Sequence, residues 1–125
     1  MGAMSFIKQI KIKRADEDPA HDDGVRILVD RLWPRNLSKA RAHVDLWLKE
    51  LAPSSTLRRW FNHDPARWAE FRRRYARVLD PKYRAIAALR GALRRGRVTL
   101  LFSASDPEHN NAVALQAYLA RRRTV

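Results

Sequence analysis

Two short stretches hold most of the residues whose types suit binding chemistry. The first is DRLWPRNLSK, residues 30–39, with Asp30, Arg31, Arg35 and Lys39. The second is SASDPEHNN, residues 103–111, with Ser103, Ser105, His109 and Asn110. Arginine's planar fork fits phosphate and carboxylate through two contacts at once. Hydroxyls, amides and the backbone N–H groups of a helix start suit the same guests. The chemistry the two stretches share is capture of an anion. Asp30 would position Arg31 or act on a proton. His109, in a helix's first turn, suits a local hydrogen bond better than a general base. The residue spacing supports no metal site and implies no cofactor. There is no glycine-rich phosphate loop, nucleophile elbow or HExxH motif.

The elements around these stretches decide whether they meet. Residues 6–13, FIKQIKIK, place Ile10 and Ile12 on one face and Lys11 and Lys13 on the other, which suits an edge strand. An acidic loop, residues 15–24, ends in Gly24. Residues 25–30, VRILVD, form a second strand, and residues 97–102, RVTLLF, a third that is apolar on both faces. From Ser38 the period turns helical, with Val44, Trp47, Leu48 and Leu51 on one stripe until Pro53. Ser54 and Ser55 start a short helix with Leu57, Trp60 and Phe61. Three Asp-Pro pairs, at 64–65, 80–81 and 106–107, read as helix starts. The first carries Trp68, Phe71, Tyr75 and Leu79. The second carries Ile86, Leu89 and Leu93 and is stopped by Gly96. The third carries Val113, Leu115, Ala117 and Leu119 inward and closes on Arg121, Arg122 and Arg123.

The expected fold is α/β: a small, mostly parallel sheet of about three strands under about five helices, in Rossmann-like layers. One domain is expected over 5–125, with residues 1–3 read as an expression-tag remnant. No cysteine is present, which excludes disulfides and thiolate chemistry. No apolar run suits a signal peptide or membrane helix, so a cytoplasmic protein without a membrane partner is expected. In such sheets ligands gather beyond the carboxyl ends of the strands. Should strands 25–30 and 97–102 be parallel neighbours, the two chemistry-bearing stretches converge.

The formal net charge is +13. Residues 1–35 hold seven Lys/Arg against six Asp/Glu, and residues 36–125 nineteen against seven. The excess therefore lies with the helices. Arg72, Arg73, Arg74, Arg77, Arg94 and Arg95 offer an alternative function, binding phosphate backbones without reading base sequence. A plainer alternative gives the motif residues only the task of knitting loops together.

The segments VDRLWPRNLSK, DLWLKELAPS, LRRWFNHDPARWAEFRRRY and VTLLFSASDPEHNNAVALQAYL occur in one order. Together they resemble the YeaO-like group of the bacterial family known as domain of unknown function 488. The resemblance runs from about Phe6 to about Arg121. It implies a small α/β protein and draws attention to Asp30, Arg31, Trp33, Pro34, Arg35, His63, Asp64, Pro65, His109, Asn110 and Asn111. Two departures stand out. Asn36 occupies a position where similar sequences tend to carry glycine, and asparagine tolerates the same positive φ. Residues 103–111 lack the cysteine of other branches, so thiol chemistry does not carry over. The leading expectation is a crevice for phosphate or a nucleotide-like anion, with enzymatic turnover left open.

Overall fold

The computed structural model describes residues 10–121. Residues 6–9 of the first expected strand, and Arg122 and Arg123, lie outside the described residues. Four strands form one sheet: β1 Ile10–Arg14, β2 Val25–Leu28, β3 Leu46–Trp47 and β4 Val98–Phe102. Their order is β1-β4-β2-β3, and every pairing is parallel. Among the described residues five α-helices accompany them: α1 Lys39–Ala42, α2 Ser55–Phe61, α3 Trp68–Leu79, α4 Tyr83–Arg95 and α5 Asn111–Arg121.

β4 lies between β1 and β2, and all five of its residues are buried. Val98 pairs with both Ile10 and Val25, and Leu101 with both Lys13 and Leu28. Side chains alternate across the sheet. Ile10, Ile27, Val98, Leu100 and Phe102 therefore face one way, into a large core with Phe71, Tyr75, Leu79, Leu89 and Leu115. Leu28 and Leu101 face the other way, into a smaller core with Ala15, Leu37 and Ala42.

The stripe Val44, Trp47, Leu48 and Leu51 is not helical, which corrects the helix expected from Ser38 onward. Ser38 does cap a helix, its hydroxyl accepting from Arg41 N–H, but α1 lasts one turn and ends at His43 with φ 49°. The chain then runs beside β2, with Asp45 N–H donating to Arg26 O and Leu48 N–H to Leu28 O. Val44 and Trp47 pack on the smaller core, Leu48 and Leu51 on the larger one. Apolar residues facing opposite sides of a sheet had imitated a single helical face.

The capping signals hold in part. Ser54 caps α2, and Asp64 caps the 3₁₀ turn Pro65–Arg67 that runs straight into α3. Asp80 does not open a helix. It ends α3 and accepts from the Tyr118 hydroxyl at 2.9 Å, while α4 starts after Lys82. Asp106 holds a turn by accepting from Glu108 and His109 N–H, and Asn110 caps α5 through Val113 N–H. Of the inward residues expected on α5, Leu115 and Leu119 are fully buried, whereas Val113 and Ala117 are half-buried. No helix among the described residues is long and apolar enough to cross a membrane.

Candidate functional site

β2 and β4 run side by side in the same direction, so the segments that follow them leave one edge of the sheet together. Asp30 joins them. Its Oδ2 accepts from the backbone N–H of Ser103 at 2.9 Å and from the Ser103 hydroxyl at 2.6 Å. Its Oδ1 accepts from Asn111 Nδ2 at 3.0 Å, and the same amide also reaches Val29 O at 3.0 Å. Trp47 Nε1 donates to the Asp30 carbonyl at 2.7 Å. One acid thus ties together the exits of two strands, the start of α5 and the edge strand β3.

Above this bracket lies a cavity of about 880 Å³. Its wall includes Asp30, Arg31, Arg35, Ser103, Ser105, His109 and Asn110. Seven of the eight expected anion-site residues therefore line one crevice. Lys39, on α1, is outside that lining. Their local roles differ. Asp30 and Ser103 are occupied with each other. Asn110 is buried, with its amide donating to Asp106 O at 3.0 Å and its side-chain oxygen capping α5. Arg31, Arg35 and Ser105 are exposed, and no carboxylate lies within ion-pair distance of either arginine among the described residues.

His109 Nδ1 lies 2.9 Å from Asp106 Oδ2, and its ring meets Trp68 edge to face at 5.3 Å between centroids. Bonds from the Glu108 N–H and the His109 side chain hold the Asp106 carboxyl below its ordinary value. Trp33 is an anchor that also faces the cavity. Its Nε1 donates to Leu37 O at 2.6 Å and its ring meets Trp47 edge to face at 5.6 Å. Asn36 takes φ 60°, as its departure from glycine permits. His63 sits between α2 and the following 3₁₀ turn, at φ 56°, and also lines the cavity.

Four charged residues of the lining were not singled out in the sequence: Arg14, Asp16, Arg41 and Arg58. Arg14 is the last residue of β1, so it stands at a third strand end, beside β4. Only the pairing of β1 with β4 reveals this, and local pattern carries no such information. Arg58 lies on α2 and brings a cation from the opposite wall.

The expected phosphate-backbone residues fall outside the crevice. Arg73 and Arg74 both bond Glu70, at 2.8 and 2.9 Å, and their hydrogen bonds hold that carboxyl below its usual range. Arg72 stacks over Trp68 at 5.8 Å. Arg77, Arg94 and Arg95 are exposed, the last two in the final turn of α4 where its dipole favours positive charge.

Comparison with known proteins shows the family. A family model described as the inactive DUF488-N3 subclade matches residues 9–124. The chain is 37% identical over 114 residues to a Mycobacterium tuberculosis protein named Uncharacterized protein Rv3073c, covering 91% of this chain and 96% of that one. It is 36% identical over 110 residues to Uncharacterized protein YeaO of Escherichia coli, covering 88% and 96%. No solved structure matches it significantly. The chain is a YeaO-like member of the DUF488 family, within its inactive DUF488-N3 subclade.

Proposed function

We propose that the crevice binds a small anionic molecule and holds it without transforming it. The observation that carries this reading is five arginines around one cavity at the carboxyl ends of parallel strands: Arg14, Arg31, Arg35, Arg41 and Arg58. Like charges gathered around a concave site cost energy unless an anion offsets them. Only Asp16 and Asp30 oppose them in the lining. Asp30 has its oxygens engaged by Ser103 and Asn111, which removes it as a free base. The subclade's description as inactive favours the same conclusion.

The test is thermal unfolding with inorganic phosphate at low ionic strength. A ligand at about 100 times its Kd stabilises by about 2.7 kcal/mol, enough to raise Tm by several degrees. The Arg31→Ala/Arg35→Ala pair should melt cooperatively without ligand and lose the phosphate-induced rise. Absence of any rise with phosphate, pyrophosphate and citrate would discard the reading.

A second reading concerns the outer face of α3. Residues 58–97 hold thirteen Lys/Arg and three acids. Those acids are engaged: Asp64 caps a turn, Glu70 bonds two arginines and Asp80 accepts from Tyr118. Arg67 and Arg74 lie over Trp60, at 5.2 and 4.2 Å. Both guanidiniums also make bonds within the protein, Arg74 to Glu70 and Arg67 to the Trp60 carbonyl, so the exposed Arg72 and Arg77 are the cations left for a phosphate backbone. Affinity for a DNA duplex should then fall steeply with salt, and Arg72→Ala/Arg77→Ala should reduce the slope of log affinity against log salt by about two. A duplex left unretarded at low salt would remove this reading.

A further inference from the structure

The charge balance of the crevice points to the kind of anion it takes. This inference rests on the anion-binding reading above and goes one step further. Five arginines face two aspartates in the lining, and Asp18, just outside it, stands 3.8 Å from Arg41, so the positive excess is two. A monoanion would leave half of that excess uncompensated. An inorganic phosphate also fills little of a cavity of about 880 Å³.

Arg14 supplies an independent observation. Its Nε is closed to solvent and has no hydrogen-bond acceptor, the one such side-chain atom among the described residues. Asp16 Oδ1 stands 3.5 Å away, near enough for an ion pair but without hydrogen-bond geometry. Buried donors are nearly always satisfied. Arg14 is held by this single loose ion pair through Nε, while the rest of its side chain, 42% exposed, stays available in the cavity wall.

The topology gives Arg14 its meaning. β1 and β2 flank β4 on opposite sides. Arg14 ends β1, while Arg31 and Arg35 follow β2, so cations border the exit of β4 from both flanks. Two strand spacings separate those flanks, roughly 10 Å. Two linked phosphoryl groups span such a gap better than one. They also carry the multiple negative charge that this positive excess compensates. Trp33, Pro34 and Phe61 in the same wall give an organic remainder an apolar surface.

We infer that the crevice takes a small organic diphosphate, with one phosphoryl group held by Arg31 and Arg35 and the second by Arg14. No bond is made or broken in this proposal. Charge compensation comes from guanidiniums, so binding persists in a chelator.

Titration calorimetry at fixed ionic strength in EDTA tests it, with phosphate, pyrophosphate, ADP and citrate as probes. Pyrophosphate and ADP should each bind at least about tenfold tighter than phosphate, as a second set of charge-assisted bonds implies. Arg14→Gln should collapse that preference to within about threefold, and Arg14→Lys, which keeps the charge but loses the fork, should fall between. Melting curves of both variants establish that they fold. Pyrophosphate binding no tighter than phosphate, an unchanged preference in Arg14→Gln, or citrate binding tighter than pyrophosphate would each overturn the diphosphate assignment while leaving the anion crevice standing. Failure of all four probes would remove both.

Discussion

Asp23→Ala is expected to lower stability by about 3–5 kcal/mol, the range for stripping one partner from a buried charge cluster. Asp23 is only 1% exposed. Its carboxylate accepts from Lys11 at 2.7 Å, Lys13 at 3.0 Å, Arg26 Nη1 at 2.6 Å and Ala20 N–H at 2.9 Å. Arg26 is 3% exposed and spends its other donors on the Ala42 and His43 carbonyls that end α1. Removing Asp23 strands that guanidinium in the interior. The Thr99 hydroxyl, which donates to the backbone carbonyl of residue 23 at 2.7 Å, keeps its partner in this variant, so the loss is confined to the carboxylate's own bonds. Burial alone would push the Asp23 carboxyl up. The bonds from Lys11, Ala20, Lys13 and Arg26 outweigh it and hold the group far below the usual carboxylate range. The sign follows from linkage. A carboxyl with a depressed folded-state pKa contributes stability above its unfolded value, about 3.9, and loses it as pH falls through and below that value. Urea melts at pH 7 and pH 3 should therefore differ less in Asp23→Ala than in the parent. Asp22→Ala, at an exposed neighbour of the same cluster, should change little. A loss below about 1 kcal/mol for Asp23→Ala would show that the cluster is a surface feature in energetic terms.

Gly24→Ala is the second large effect. Gly24 sits at φ +66°, and an added Cβ would lie 2.1 Å from the backbone oxygen of Arg97. That oxygen already accepts from Val25 N–H at 3.0 Å, the contact that starts the pairing of β2 with the segment leading into β4. Backbone on both sides prevents easy relief. The combined clash and strain should exceed about 3 kcal/mol, against a typical single-site loss of about 1. Gly96→Ala makes the comparison. Gly96 has φ +152° but nothing within 4 Å of the added carbon. Its cost should stay near that of conformational strain alone, about 1–3 kcal/mol. Equal losses at the two glycines would mean that the Arg97 contact is not decisive.

The sequence conveyed the parallel core of this fold because its signals were local. Residues 97–102 read as a buried central strand on apolar content alone, and Ser38, Ser54 and Asp64 marked real caps. The convergence of the 30–39 and 103–111 stretches followed from one condition, parallel neighbours, which the pairing of Val25 with Val98 meets. β3 was hidden because two residues of strand leave no period to read, and its flanking apolar residues divide between two cores. The Asp23–Arg26 cluster was hidden in an acidic loop whose composition suggested solvent. The site was legible as residue types but not as roles. Asp30 and Asn110 carry out structural work that only the folded chain displays, and Arg14 joins the crevice through its pairing with Phe102, 88 residues further along the chain.

The Asp30 bracket has a kinetic consequence. The exit of β4 and the start of α5 are both pinned to one carboxylate at the exit of β2, so neither moves away without breaking those bonds. On the anion-binding proposal, an anion would enter without displacing this bracket. The capture rate should be set by diffusion and accelerated by the basic field, and so should slow as added salt screens it.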